Sequence, residues 1–135
     1  MFGATINYFA VIVAVVVSML IGYAWYSKSL FGNSWMVLVG KRETDLKSGT
    51  SRAMTVAILS SFLTAYVLSH FVDYLGLTTF REGIKLGWWL WLGFVATAAA
   101  VDYVFAARPL KLYAIVLSQQ AVMLMAMAGL IAAMN

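Results

Sequence analysis

Residues 5–26 read TINYFAVIVAVVVSMLIGYAWY, a stretch without a single charged side chain. A helix needs about 20 mostly apolar residues to cross the hydrocarbon core of a bilayer. Backbone groups have no water to bond there, so a continuous apolar run of this length reads as a membrane-spanning helix. Three more runs follow: about Ala53 to Tyr74, interrupted only by His70 and Asp73, about Lys85 to Phe105, and about Leu110 to Met134. The first run has no basic leader and no A-x-A-like cleavage site, so it reads as a retained helix rather than a secretory signal.

The whole composition agrees. Of 135 residues, 64% are hydrophobic and 10% charged, and the mean hydropathy is +0.91. Soluble domains hold about 45–50% apolar and about 25% charged residues. A globule of this size has too little interior for so much apolar surface, which excludes a water-soluble monomer. The absence of cysteine excludes a disulfide scaffold. Continuous runs, rather than alternating strands, exclude a β-barrel. The predicted fold is therefore all-α: one transmembrane domain over residues 1–135, an integral membrane four-helix bundle. Its first loop, 27–52, carries a short interfacial helix.

Lys28, Lys41, Arg42, Lys47 and Arg52 fall in that loop, and Arg108 and Lys111 in the third connection; only Arg81 and Lys85 face the other side. The positive-inside rule then places both termini outside the cytoplasmic membrane and the 27–52 loop inside. The same residues face anionic headgroups, so a net charge of +4 implies the lipid bilayer as partner and no nucleic acid. Aromatics fall into two groups consistent with interfacial belts: Tyr23, Trp25, Tyr26, Phe31 and Trp35 at one level, Phe71, Tyr74, Phe80, Trp88, Trp89 and Trp91 at the other.

Helices associate in lipid through small residues that let backbones approach. Ala10, Ala14, Ser18 and Gly22 recur every fourth residue in the first span, and Ala53, Ala57, Ser61, Ala65 and Ser69 in the second. The expected closest contact is between these stripes, with Ala14, Ser18 and Gly22 against Ala57, Ser61 and Ala65. The later spans show a looser set in Gly93, Ala96, Thr97, Ala100, Ser118 and Gly129. In the loop, Asn33 or Ser34 is expected to cap a short helix that Gly40 ends. Residues 41–52 read as a solvated linker.

The elements Trp25-Tyr-Ser27, Leu30-Phe-Gly32 and Trp35, with Gly93-Phe-Val-Ala-Thr97 and Arg108-Pro-Leu-Lys-Leu112, are similar to those of a family of small four-span bacterial membrane proteins known as domain of unknown function 1761. The resemblance covers nearly the whole chain and implies a four-helix membrane protein. It transfers no catalytic residue, since the family has no established activity. The chain departs from the family pattern at Lys28, where a proline is usual, at Ala106, and at Gln119 and Gln120.

Chemistry is sparse. Without cysteine there is no thiol or Fe–S chemistry, and one histidine cannot build an H-E-x-x-H site. No nucleophile elbow, P-loop or dinucleotide fingerprint is present, so the chain is expected not to be an enzyme and to need no cofactor. His70 and Asp73, three residues apart on one helical face, read either as a proton-sensitive pair or as an interfacial salt pair. Asp102, about one turn inside the third span, reads as a functional carboxylate or as a counter-ion to Arg108, Lys28 or Lys111. Of Gln119 and Gln120, one is expected to point inward and bond across to Ser18, Thr97 or Ser118.

Two roles compete. The leading expectation is a structural or accessory helix-interaction subunit, associating with itself as a homo-oligomer or with another membrane protein. The alternative is a small oligomeric transporter or channel. A dry bundle favours the first, and a polar cavity joining Asp102, Gln119 or Gln120 to one face favours the second.

Overall fold

The computed structural model describes residues 4–41 and 49–135, and every regular element among them is a helix. Helix α1 spans Tyr8–Trp25, α2 Gly32–Val39, α3 Thr50–Leu75, α4 Phe80–Leu90, α5 Thr97–Phe105 and α6 Leu110–Ala133. A π-helical segment, Trp91–Ala96, joins α4 to α5 in one continuous rod. The result is four helices long and apolar enough to cross a membrane: α1, α3, the α4–π–α5 rod and α6.

Local chemistry explains the boundaries. Asn7 starts α1 by accepting from the Ala10 amide at 3.1 Å. Thr79 starts α4 by accepting from the Glu82 amide at 3.2 Å, while Glu82 reaches back to the Thr78 amide at 3.0 Å. That cap moves the start of the third span from the expected Lys85 back to Phe80, because charged Arg81, Glu82 and Lys85 are accommodated within the helix. Helix α3 likewise begins at Thr50, which takes Arg52 out of the expected linker and into the helix. Residues 42–48 of that linker lie outside the described residues. Neither Asn33 nor Ser34 caps α2: both lie inside its first turn, Phe31 holds the cap position without a side-chain bond, and left-handed Gly40 (φ 72°) ends the helix as expected.

Helix α6 is the hub, touching α1, α3 and α4. At the end that carries both chain termini, Ala10, Val11, Ala14, Ala65, Val72, Met127 and Ala128 form a dry core. Polar links close this end: Asn7 Nδ2 donates to the Met134 carbonyl at 2.9 Å, Asn135 Nδ2 to the Leu77 carbonyl at 2.9 Å, and the Thr5 amide to Asp73 at 3.1 Å.

The closest helix contact is not the expected one between α1 and α3. It lies between α4 and α6, where Gly83 and Gly87 are four residues apart. A β-carbon on Gly83 would stand 2.2 Å from the Ala128 carbonyl oxygen, and one on Gly87 would stand 2.6 Å from that of Leu124. No other residue fits at either position, which is the small-xxx-small principle in its strictest form. The α1 and α3 stripes do meet through Ala10, Ala14 and Ala65 in the shared core. Towards the opposite end they part, leaving Gly22 and Ala57 half-exposed and Ala53 exposed.

The earlier start of the third span also moves its tryptophans. Trp91 lies eleven residues beyond Phe80, about 16 Å along the rod. Its indole Nε1 donates to the Leu117 carbonyl at 2.9 Å, on the middle stretch of α6. Trp88 stacks on it at 5.3 Å between ring centroids. These residues therefore sit in mid-rod rather than in a terminal belt.

Candidate functional site

Where α1 and α3 part, a cavity of about 480 Å³ opens between them and α6. Helix α1 supplies Ser18, Met19 and Gly22, with Tyr23 and Tyr26 at its loop end; α3 supplies Met54, Ala57, Ser60, Ser61 and Thr64; α6 supplies Gln119, Gln120 and Met123. The antiparallel course of α1 and α3 brings Tyr23 and Tyr26 level with Met54, and these three form the mouth at the loop end. Ser18, Ser61 and Gln119 lie deeper, where the dry core takes over.

Three polar side chains of this wall are almost fully buried: Ser18 at 3% exposure, Ser61 at 8% and Gln119 at 5%. Ser18 Oγ donates to the Val15 carbonyl at 2.8 Å along its own helix. Ser61 Oγ points across to the Met19 sulfur at 3.9 Å, and Gln119 Nε2 to the Met123 sulfur at 4.0 Å. A thioether is a weak acceptor, so the Gln119 amide is held in place while much of its bonding capacity stays unused. Gly22 lies directly beside it, since a β-carbon there would stand 3.9 Å from Gln119 Nε2. Among the described residues, the wall holds no carboxylate, ammonium, guanidinium or imidazole group. These residues offer amides, hydroxyls and thioethers, neutral groups that can bind a solute.

Gln119 is thus the inward-facing amide that the sequence leads one to expect, with half-buried Gln120 on the same wall. The expected bond across to Ser18, Thr97 or Ser118 is not made. Thr97 is exposed and donates to Gly93 at 2.7 Å, and Ser118 donates to Ile115 at 3.0 Å, each along its own helix. Ser18, Gly22, Ala57 and Ser61, expected to close a helix contact, line an opening instead.

The remaining candidates lie elsewhere. His70 is buried, with Nδ1 2.9 Å from the Tyr66 carbonyl and its ring edge-on to Tyr66 at 4.7 Å. Asp73 accepts from Thr5 at the closed end, so the two are not paired: each side chain has found a backbone partner in a different direction. Asp102 is 62% exposed and lies 3.4 Å from Arg108, whose guanidinium also sits over the Tyr103 ring at 5.3 Å. It is a surface counter-ion beside a separate apolar groove lined by Tyr103, Val104 and Tyr113, and it does not reach the cavity. Among the described residues, no group of three or more His, Asp or Glu could hold a metal ion.

Ser60 and Thr64 complete the wall without having been singled out in the sequence. The signal available was a hydroxyl cluster at 60, 61 and 64, one helical face in an otherwise apolar run.

A family model described as protein of unknown function (DUF1761) matches residues 9–132. No curated protein and no solved structure matches the chain.

Proposed function

The chain belongs to the DUF1761 family, and from that premise we propose that it binds an uncharged amphipathic solute inside its helix bundle, as a small membrane transporter rather than as an accessory packing subunit. The observation that carries this reading is the buried Gln119 amide, facing a cavity of about 480 Å³ with only a thioether as side-chain partner. Among the described residues no buried side-chain nitrogen or oxygen lacks a partner, so the unused bonding capacity of this amide opens onto the cavity, where a hydrogen bond from a solute is worth about 0.5–1.5 kcal/mol. Neutral solutes are favoured because an ion would enter without a counter-charge. The role is non-catalytic, since hydroxyls and amides without a neighbouring base are poor nucleophiles.

The dry core closes the termini end, so passage through the bundle requires the helices to separate at that end, in a homo-oligomer or alone. The proposed orientation keeps the basic loop cytoplasmic and the termini outside the cytoplasmic membrane. With an impermeant thiol reagent on intact cells, Phe2→Cys is expected to label and Asp45→Cys to be protected; the reverse pattern inverts the orientation.

Binding is tested with a photoreactive diazirine analogue of a medium-chain alkanol in the reconstituted protein. Adducts mapped by mass spectrometry are expected at Met19, Met54 and Met123, and Gln119→Leu is expected to remove them. Adducts spread evenly over the outward-facing Ile12, Val16 and Leu59 would refute the reading.

A further inference from the structure

The loop-end surface outside the cavity combines charge with an apolar groove. Between α5 and α6 the chain turns within four residues, 106–109. Ala107 takes the left-handed conformation (φ 54°) there, and the Arg108 amide donates back to the Tyr103 carbonyl at 3.0 Å. The turn thereby folds Arg108 over the end of α5, with its guanidinium above the Tyr103 ring. Tyr113 fixes the α6 side, donating its hydroxyl to the Ala96 carbonyl at 3.0 Å. With Ala100, Val104 and Leu110, these residues line an apolar groove of about 410 Å³. The groove lies at the end of a membrane-spanning rod, at the height where lipid headgroups begin.

Charge comes here in both signs. Arg108 Nη1 and Asp102 Oδ2 are 3.4 Å apart and both side chains are about half exposed or more, a longer contact than the roughly 2.7–2.9 Å of a tight charge-assisted bond. The two groups stand side by side without being locked together, and a guanidinium has five N–H groups with which to hold a further acceptor. The geometry points to a site for phosphatidylethanolamine, whose phosphodiester bonds to Arg108, whose primary ammonium bonds to Asp102, and one of whose acyl chains lies in the groove against Val104 and Leu110. Phosphatidylcholine carries the same charges, but its trimethylammonium has no N–H to donate. Phosphatidylglycerol has no cation, so its phosphate would draw Arg108 from Asp102 and leave the carboxylate uncompensated. The site is independent of the solute cavity, which neither Arg108 nor Asp102 lines.

The experiment uses the full chain in liposomes that contain equal amounts of the three phospholipids, one of them at a time carrying the same diazirine-bearing acyl chain. Adducts are mapped by mass spectrometry. Phosphatidylethanolamine is expected to label Val104 and Leu110 about three- to five-fold more than either competitor, the range open to an exposed ion pair. Asp102→Asn should bring it down to the level of phosphatidylcholine, Asp102→Glu should restore the preference, and Arg108→Gln should lower labelling by all three. Should a variant fail to fold, the ratios in the natural protein decide alone. Equal labelling by the three lipids overturns the site, since the groove then holds ordinary surrounding lipid. Strongest labelling by phosphatidylglycerol overturns it as well, leaving Arg108 and Lys111 as bare positive charge. Absence of groove adducts from every lipid, with label elsewhere on the outward face, overturns it in favour of a second copy or another protein covering the groove.

Discussion

The two ends of the bundle are built from the same kinds of residue and behave in opposite ways. At the termini end, Ala10, Ala14, Ala65 and Ala128 pack without exposure, and Gly83 and Gly87 bring α4 onto the α6 backbone. At the loop end, Gly22, Ala53 and Ala57 have equally small side chains, yet α1 and α3 stand apart around a largely apolar cavity with a few buried polar groups in its wall. Small residues permit close approach and do not compel it. What separates the two ends is the backbone contact of α4 with α6 on the closed side and, on the open side, the Gln119 amide, which a dry contact would leave with a thioether as its side-chain partner.

The contrast is broken most severely at Gly87. Leucine there would drive its β-carbon to within 2.7 Å of Met125 Cα and 2.6 Å of the Leu124 carbonyl oxygen, both backbone atoms that cannot swing away. Gly87→Leu is expected to cost about 3 kcal/mol or more, or to abolish folding, by thermal or denaturant unfolding in detergent. Gly93→Leu meets nothing within 4 Å and should unfold like the natural protein. Equal losses at the two glycines would mean that α4 and α6 are not in backbone contact.

A smaller effect is expected at the indoles. Trp91→Phe removes the bond to the Leu117 carbonyl and should cost about 1 kcal/mol, whereas exposed Trp89→Phe should be close to silent. If Trp89 proves the costlier of the two, Trp91 does not hold the rod to α6.

The smallest effect belongs to Asp102. An exposed ion pair contributes about 0–1 kcal/mol and is screened by salt, so Asp102→Asn should shift the melting temperature slightly at low ionic strength and not at all at high. Alkanol labelling should be unchanged, because this carboxylate lies outside the cavity. Loss of labelling would connect the loop-end surface to the site.

Much of this architecture was legible from hydropathy alone. Four apolar runs give four long helices, since length and the backbone's need for internal hydrogen bonds leave little choice. The inward turn of Gln119 was legible too, because a mid-span amide is costly against lipid. The Gly83–Gly87 contact was hidden by its surroundings: Arg81, Glu82 and Lys85 made the segment look extramembrane, and the glycines matter only through the α6 backbone that meets them. The cavity was hidden for a related reason. Ser18 and Ser61 fit a packing stripe as well as a polar wall, and only the divergence of the helices decides between them. His70 and Asp73 share a helical face, but spacing cannot reveal that Tyr66 and Thr5 offer each a nearer partner.

The π-helical turn at Trp91–Ala96 has a consequence for how the chain tolerates insertions and deletions. A π turn accommodates one residue more than the α-helical pitch would, and each residue advances a helix by about 100°. Removing one residue between 91 and 96 would return the rod to uninterrupted α pitch and leave the phase of everything beyond it nearly unchanged, whereas removing one from α4 would rotate the second half by that angle. Tyr103, whose ring meets Tyr113 of α6 at 5.2 Å, would keep that face in the first case and be carried off it, along with Asp102, in the second. The π turn is thus the one stretch of this rod that can lose a residue without losing its register on α6.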